Sequence, residues 1–406
     1  MARWRSCLWL LLAGACSAPA PTTIVLPDVG PRIDAAVDDA YVAPSDAGPA
    51  ATLDTATEGS LHTPRISHTA TLLPNGHVLV IGGENLARTT FATIEEYDPA
   101  TGMLSEVASM PEPRSNHTAT LLADGRVLIV GGGDATTMGL PARTNVSSSA
   151  LFYDPSTHAM TPTGALTHAR SHHAAVRLVD GTVLVVGGSS PSTETSDVVA
   201  EAERFDPSTG TWSSAGSLAT PRTMTRVELD ASGAPLVIGG LAGSAGIDVV
   251  ERWASGAFTG AGHLAGPGRF YHATATTAAG DVLVVGGLGF GFVDAVDELT
   301  HGDTAFRAAP PLPSARNSVT LARTALGVVA ISGFYYSSSS GGRLVPDVLL
   351  RNASTGAFEP IGELDLGGRA GHTATTLSDG TIVVLGGYDD FGEAPQAIRV
   401  TLTATH

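Results

Sequence analysis

The side chains best suited to chemistry in this 406-residue chain recur along it. Seven arginines, each preceded by Pro, Ala or Gly, follow one another at intervals of 47 to 56 residues: Arg65, Arg114, Arg170, Arg222, Arg269, Arg316 and Arg369. Five of them have a histidine three residues later: His68, His117, His173, His272 and His372. A ring of histidines could bind a metal ion or transfer protons. Because nearly every repeat carries these residues, we interpret both series as scaffold, with neutral histidines packed between repeats, and we predict no metal site and no cofactor.

The charge composition excludes several classes of function. All 22 basic residues are arginines and 39 residues are acidic, which gives a formal net charge of −17. Without lysine the chain cannot form a Schiff base or a P-loop. The acidic balance argues against a nucleic-acid partner. The sequence also has neither a His-Glu-x-x-His zinc motif nor a Gly-x-Ser-x-Gly nucleophile elbow.

The elements between these residues are predicted to be strands. In six of the seven repeats a Gly-Gly pair begins 17 residues after the arginine. Between them lie two β-rich segments joined by a hairpin signal such as Asp124-Gly125. A third segment ends in an aromatic-Asp-Pro motif such as Tyr97-Asp98-Pro99, and a fourth follows a Thr-Gly turn. Each repeat is therefore predicted to be a four-stranded antiparallel meander, with strands a to d.

This pattern resembles a known repeat. The arginine, the hairpin, the Gly-Gly pair, the aromatic-Asp-Pro motif and a fourth-strand tryptophan such as Trp212 recur with a period near 51 residues, as in kelch repeats. The resemblance covers residues 51–406. It implies an all-β fold, a seven-bladed β-propeller, and we expect a monomer.

The two ends of the repeat region complete each other. The segment Gly59-Ser-Leu-His-Thr-Pro-Arg65 matches Gly216-Ser-Leu-Ala-Thr-Pro-Arg222 at six of seven positions, yet no strands a to c precede it. The last repeat, in turn, reaches the end of the sequence after three strands. We therefore predict that residues 51–58 form the outer strand of the last blade, since an unclosed ring would leave an unpaired edge.

The first 50 residues carry targeting signals. Arg3 and Arg5 precede a short apolar run that ends in Ala13-Gly14-Ala15, so residues 1–15 are predicted to be a secretory signal peptide. Cys16 follows directly and resembles the acylated cysteine of a bacterial lipobox. The alternative is ordinary cleavage that leaves Cys16 unmodified. Residues 16–50, rich in Pro, Ala and Asp, are predicted to be a disordered tether. The expected location is the bacterial cell envelope, in the periplasm or on the outer surface, with the lipid as the only membrane contact.

Strand direction identifies the side on which to look for a ligand. In a meander the loop that enters strand a and the loop that leaves strand b lie on the same side, so the repeated arginines share a face with the b–c loops. These loops vary in length, from 13 to 21 residues between the second glycine and the end of strand c in the first four repeats. Variable loops on a rigid frame usually carry binding, so the b–c loop face is the predicted ligand side.

Aromatic residues are concentrated on this face in the last three repeats. They follow the arginine or the Gly-Gly position: Phe270, Tyr271, Phe290, Phe292, Phe334, Tyr335, Tyr336, Tyr388 and Phe391. Acidic residues lie among them: Asp294, Asp389 and Asp390. Ring stacking beside such acceptors suits a protein or glycan ligand. We predict that it is bound by Phe270, Tyr271, Phe290, Phe292, Tyr335, Tyr336, Tyr388, Asp389 and Asp390. The alternative is that several rings fold inward and cap the blades.

The resemblance also implies possible enzymes. Some kelch propellers resemble galactose oxidase, whose copper-radical site uses a tyrosine crosslinked to a cysteine. Cys16 is the only cysteine beyond the predicted signal peptide, and it precedes the predicted fold, so that cofactor is not expected. A sugar-modifying enzyme of isomerase or epimerase type is the alternative, because His, Arg and Glu suffice for proton transfer. The function we favour from the sequence is a cell-envelope lipoprotein whose propeller binds a protein or a glycan.

Overall fold

The computed structural model describes residues 51–133, 145–191, 196–337 and 341–405. Within these ranges the chain forms seven antiparallel sheets of four main strands, and each sheet corresponds to one predicted repeat. We number them blades 1 to 7 and keep the letters a to d for their strands. The predicted signal peptide, Cys16 and the predicted tether lie outside the described residues.

The strands, from a to d, have these bounds: in blade 1, Thr69–Leu72, Val78–Ile81, Thr93–Asp98 and Met103–Ser109; in blade 2, Thr118–Leu121, Val127–Val130, Ala150–Asp154 and Ala159–Pro162; in blade 3, Ala174–Arg177, Val183–Val186, Glu201–Asp206 and Thr211–Ser217; in blade 4, Arg226–Leu229, Pro235–Ile238, Val249–Ala254 and Ala257–His263; in blade 5, Ala273–Thr276, Val282–Val285, Val296–Leu299 and Arg307–Ala309; in blade 6, Thr320–Thr324, Gly327–Ile331, Asp347–Arg351 and Phe358–Glu363; and in blade 7, Ala370–Thr376, Ile382–Asp389, Gln396–Ala404 and Ala51–Ser60.

Several b–c loops contain short strands in addition to the four main strands of their blade. The additional strands are Ser189–Pro191 paired with Ser196–Val198, Leu241–Ala242 with Ala245–Gly246, Phe334–Ser337 with Gly341–Leu344, and Gly392–Glu393 with the end of strand b in blade 7. None of the described segments forms a helix long and apolar enough to cross a membrane.

The ring closes by pairing the two ends of the repeat region, as predicted. Strand Ala51–Ser60 runs antiparallel to Gln396–Ala404, with Ala51 opposite Ala404 and Thr57 opposite Ile398. The inner strands a contact one another in an unbroken cycle that passes from blade 7 back to blade 1. The outer strand of blade 7 therefore comes from the first described residues of the chain.

Apolar strands b explain why the sheets pack face to face. Their central residues are buried on both sides, as in Val78–Ile81, Val127–Val130 and Val183–Val186. Apolar residues of neighbouring blades pack together in seven clusters that follow the ring. A continuous run of β-branched residues is what a strand covered on both faces requires.

The Gly-Gly positions join each blade to the next. The second glycine of every blade, or Gly333 in blade 6, donates its N–H to the carbonyl of the repeated arginine in the following blade, at 2.8 to 3.0 Å. The last of these seven bonds, from Gly387 to Arg65, crosses the closure. The first glycine has no room for a side chain, because a Cβ on Gly82 would lie 2.4 Å from the Arg114 carbonyl oxygen. The glycines therefore serve close packing between blades, not phosphate binding.

Candidate functional site

The repeated arginines are buried inside the blades, where they connect neighbouring strands. All seven are at most 2% exposed. Arg65 donates to the carbonyls of Gly82, at 2.8 Å, and Thr93, at 3.1 Å, and so ties strand b to strand c. The arginine-to-glycine bond recurs in blades 2, 3, 4 and 7. The prediction that this series is scaffold is confirmed.

Five of these arginines form an ion pair with an acid on strand c, and in four of the pairs both side chains are buried. The pairs are Arg65–Glu95, Arg170–Glu203, Arg222–Glu251, Arg269–Asp297 and Arg316–Asp347. The acid also caps the turn before the arginine: Glu251 accepts the N–H groups of Ala219, at 2.7 Å, and Thr220, at 3.2 Å. Sequence reasoning missed these acids, because loops of variable length separate them from the arginine.

The histidines lie between blades, as predicted. Four of them share a hydrogen bond between Nε2 and a threonine hydroxyl on strand a of the preceding blade, at 2.8 to 3.2 Å. The pairs are His68 with Thr373, His117 with Thr69, His173 with Thr118 and His372 with Thr320. Burial, followed by the positive charge of the nearby arginine, lowers the pKa of His68, His173 and His372 to about 3. Burial also lowers the pKa of His117 and His272. These histidines are therefore neutral in the folded protein at neutral pH.

Because these buried histidines are neutral, we predict that the folded protein loses stability in mild acid. Histidine in the unfolded chain binds a proton near pH 6.5, but these side chains bind it in the folded state only near pH 3. The unfolded state therefore gains protons first, so the free energy of unfolding is constant above pH 7 and decreases as the pH falls from about 6.5 toward 3. Urea unfolding at pH 7 and pH 5 measures this slope. We expect His173→Gln to reduce this slope by the equivalent of up to one bound proton. An unchanged slope would refute the interpretation of His173 as a neutral buried histidine.

The residues two positions after the arginines form a ring around one mouth of the central channel. Six of them, Ser67, Asn116, His172, Met224, Tyr271 and Ser318, have a left-handed backbone with φ of 52° to 55°. Backbone bonds such as Asn116 N–H to Ser67 O, at 3.1 Å, and His172 N–H to Asn116 O, at 3.0 Å, connect neighbours. The repeated backbone is scaffold, but the side chains vary among the blades, and only serine occurs twice among the six. This mouth ring therefore gives the b–c loop face an asymmetric chemistry.

Several predicted ligand-binding aromatics come together across blades 5 to 7. Phe292 lies 5.6 Å from Phe334 in an edge-to-face pair and 6.2 Å from Tyr335, measured between ring centroids. Phe292 and Tyr388 pack against a small buried cluster of Phe334, Leu344 and Ala370. Phe334 is only 7% exposed, so this ring folds inward. We call Phe292, Phe334, Tyr335 and Tyr388 the aromatic cluster.

Tyr271 and Phe270 lie beside the aromatic cluster at the channel mouth. Their rings are 5.2 Å apart. Burial raises the pKa of Tyr388 to about 12, and the proximity of Tyr271 contributes in the same direction. The two phenols therefore lie close together, where the mouth ring meets the aromatic cluster.

The remaining predicted residues are dispersed. Phe290 and Phe391 are fully exposed, at 104% and 96%, on the b–c loops of blades 5 and 7. Asp389 accepts the N–H groups of Phe391, at 2.8 Å, and Gly392, at 3.1 Å, so it shapes its own turn. Asp390 is exposed, as is Asp294. Tyr336 lies in the strand Phe334–Ser337 opposite Gly342.

Two charged residues on the inner strand of blade 4, both in contact with blade 5, were missed by the sequence analysis. Arg226 and Glu228 occupy the first and third positions of strand a in blade 4. The equivalent positions of the other blades are filled by Thr, Ala or Val. Burial lowers the pKa of Arg226 and raises that of Glu228, although Arg226 remains accessible to solvent. The signal in the sequence was this departure from the repeat, since a residue unique to one blade does not serve the scaffold.

A copper-radical site of the galactose oxidase type does not fit these residues. Residues 51–406 contain no cysteine to crosslink to a tyrosine. Within the described part of the chain, no three His, Cys, Asp or Glu side chains are grouped so that they could hold a metal ion. Four of the five repeated histidines instead bond threonines between blades through Nε2.

The closed ring of seven meander blades, each braced by a buried arginine, defines a repeat β-propeller. The fold is that of a kelch-type β-propeller. A family model described as the KLHDC2/KLHL20/DRC7 kelch-repeats domain matches residues 34–232. No curated protein matches the sequence.

Two solved structures are similar to this propeller. A fungal alcohol oxidase of the AA5 family, described in complex with copper, aligns with a TM-score of 0.67 and 16% identity, over 88% of this chain and 77% of the oxidase. The protein YjhT aligns with a TM-score of 0.54 and 15% identity, over 85% of this chain and 98% of YjhT. At such low identity the similarity concerns the fold alone.

Proposed function

We propose that this protein is a binding module of the bacterial cell envelope. Residues 1–15 direct its export, Cys16 carries the lipid anchor, and the propeller binds a protein or glycan on the b–c loop face. The kelch propeller supports a binding role, because the blades form a rigid frame and the variable loops project from it. The export signal and the anchor rest on the sequence pattern of the first 16 residues.

The observation that carries the proposal is the full exposure of two phenylalanines, Phe290 and Phe391, on the b–c loops of blades 5 and 7. Exposure of a phenylalanine ring to water is unfavourable, and neither Phe290 nor Phe391 is buried against the blade that carries it. Tyr335 lies between these two phenylalanines in the sequence. The guanidinium carbon of Arg343 lies over its ring, 5.4 Å from the ring centroid. Clustered aromatic side chains beside an arginine are typical of the energetic centre of a binding surface.

Substitution of both phenylalanines should abolish ligand capture. Residues 51–406, immobilised, are exposed to a glycan array and to an envelope extract, and bound glycans and proteins are identified separately. We expect Phe290→Ala with Phe391→Ala to weaken capture at least about tenfold, equivalent to about 1.4 kcal/mol. The melting temperature should not change, because both rings lie in solvent.

The matched control is Met103→Ala, which removes a 65% exposed apolar side chain in strand d of blade 1. It should leave capture unchanged. Equal capture by the wild type and the double variant would refute the assignment of the face. Capture of glycans without proteins, or the reverse, decides the class of ligand.

A second candidate is the sugar-modifying enzyme, which one observation favours. Arg226 and Glu228 are asymmetric titratable residues on the inner strand of blade 4, and the raised pKa of Glu228 is suited to proton transfer. Incorporation of deuterium from D₂O into a panel of reducing sugars tests it. Incorporation by the wild type that is lost in Glu228→Gln supports this candidate, and no incorporation with any sugar rejects it.

A further inference from the structure

An open, solvent-facing cavity lies on the side of the ring opposite the b–c loop face. It has a volume of about 570 Å³ and lies between the a–b turns of blades 3 and 4 and strand a of blade 5. Its walls combine apolar side chains with two acids, Glu228 and Asp230. The other lining residues are Val176, Val179, Leu229, Thr276 and residues 231–233. Neither the binding face nor the blade scaffold uses this space.

One of these two acids is incompletely compensated. Glu228 accepts hydrogen bonds from the hydroxyls of Thr274, at 2.8 Å, and Thr276, at 3.2 Å. These are neutral donors, and burial still raises the pKa of the carboxyl group. Arg226, two residues away on the same strand, lowers that pKa, but its Nε donates to the carbonyl of His272, at 3.2 Å, and not to the carboxylate. A cationic donor in the cavity would supply the missing compensation.

The scaffold does not require this carboxylate. The positions equivalent to Glu228 in the other six blades hold Thr71, Thr120, Val176, Ala275, Ala322 and Thr375. In these six blades a small or apolar residue at this position of strand a is sufficient for the fold. The acid therefore serves something that blade 4 alone provides.

The composition of the walls identifies the ligand chemistry. Val176, Val179 and Leu229 offer apolar surface, and Val179 is 82% exposed at the cavity rim. Asp230, which also lines the cavity, forms an ion pair with Arg252, so it adds no uncompensated charge. An anion would meet the Glu228 carboxylate, whereas an ammonium group could bind it while an apolar body contacts the valines.

We propose that this cavity is a ligand site in which Glu228 binds the ammonium group of a small organic amine with an apolar body. Val176, Val179 and Leu229 contact the apolar body, and Thr274 and Thr276 orient the carboxylate. The site is on the opposite side of the ring from the aromatic cluster. It does not depend on the function proposed for the b–c loop face.

Three probes of equal size test the charge requirement. Saturation-transfer NMR at pH 7.5 compares benzylamine hydrochloride, benzyl alcohol and sodium benzoate on the full chain. We expect benzylammonium to bind at least fivefold more tightly than benzyl alcohol, and benzoate to give no transfer. Equal binding of the three probes would overturn the proposal.

Two variants locate the site. Glu228→Gln should weaken benzylammonium binding at least fivefold, and Asp365→Asn, which removes an exposed acid on the opposite face, should have no effect. If Glu228→Gln lowers the melting temperature, Ala231→Trp provides an independent test, because it obstructs the cavity from an exposed turn. Unchanged benzylammonium binding in a folded Ala231→Trp or Glu228→Gln variant would place the probe elsewhere and refute the site.

Discussion

Removal of residues 51–60 is expected to destabilise the whole ring. A chain that begins at residue 61 lacks strand d of blade 7, which pairs with Gln396–Ala404 through eight opposed residues. It also exposes the apolar cluster against which Ala51 and Leu53 pack. With about 0.5–1.5 kcal/mol for each net hydrogen bond, the loss of unfolding free energy is on the order of 5 kcal/mol. Thermal unfolding measures it.

The matched control is a chain that begins at residue 51, which keeps this strand and should melt at the temperature of the full chain. The shorter chain should also associate, because strand Gln396–Ala404 becomes an unpaired edge. Light scattering detects this association. Equal melting temperatures and equal masses for the two chains would contradict closure by the N-terminal strand.

The substitution Glu251→Ala is expected to cost about 3–5 kcal/mol of unfolding free energy. Arg222 and Glu251 are 2.5 Å apart, and their side chains are at most 2% exposed. Loss of the carboxylate leaves the Arg222 charge buried and removes the acceptor for the N–H groups of Ala219 and Thr220. Urea denaturation of the variant and the wild type measures the difference.

Two further variants separate burial from charge pairing. Asp124→Ala breaks the half-exposed pair with Arg126 and should cost no more than about 1 kcal/mol. The double variant Arg222→Leu with Glu251→Leu should recover part of the loss, because two apolar side chains need no partner. A cost below about 1 kcal/mol for Glu251→Ala would mean that the buried pair does not brace the blade.

The architecture could be predicted from the sequence because each blade repeats the same arginine, hairpin and glycine positions. The spacing between arginine and glycine is nearly constant, since a hairpin of fixed length separates Arg65 from Gly82. The closure could be predicted because Gly59–Arg65 duplicates a segment that elsewhere ends a complete blade. The interpretation of the histidines as packing residues followed from the same symmetry.

The site was less predictable, for two physical reasons. The acids on strand c lie 28 to 33 residues after their arginines, because the b–c loops between them differ in length. Which aromatic rings face inward depends on the neighbouring blades: Phe334 meets Phe292 of blade 5 and Ala370 of blade 7, whereas Phe391 projects into solvent. Both of these neighbours are distant from Phe334 in the sequence.

Arg226 and Glu228 could have been found from the sequence. Strand a of the other blades carries charge only at its last position, in Arg177, or one position before its end, in Arg323. A comparison of the seven strands position by position isolates both residues of blade 4. Departure from the repeat identified the aromatic loops, and the same criterion applies to the strands.

The closed seven-bladed ring is the central claim, because only a complete blade 7 brings the loops of blades 5 to 7 side by side. Asp54 and Thr401 are directly opposed across the closing pair, at a separation that suits a disulfide. Residues 51–406 contain no cysteine, so Asp54→Cys with Thr401→Cys introduces a unique pair. Non-reducing mass spectrometry after mild oxidation is predicted to find a monomer that has lost two hydrogens. Free thiols or disulfide-linked dimers would contradict the closed ring.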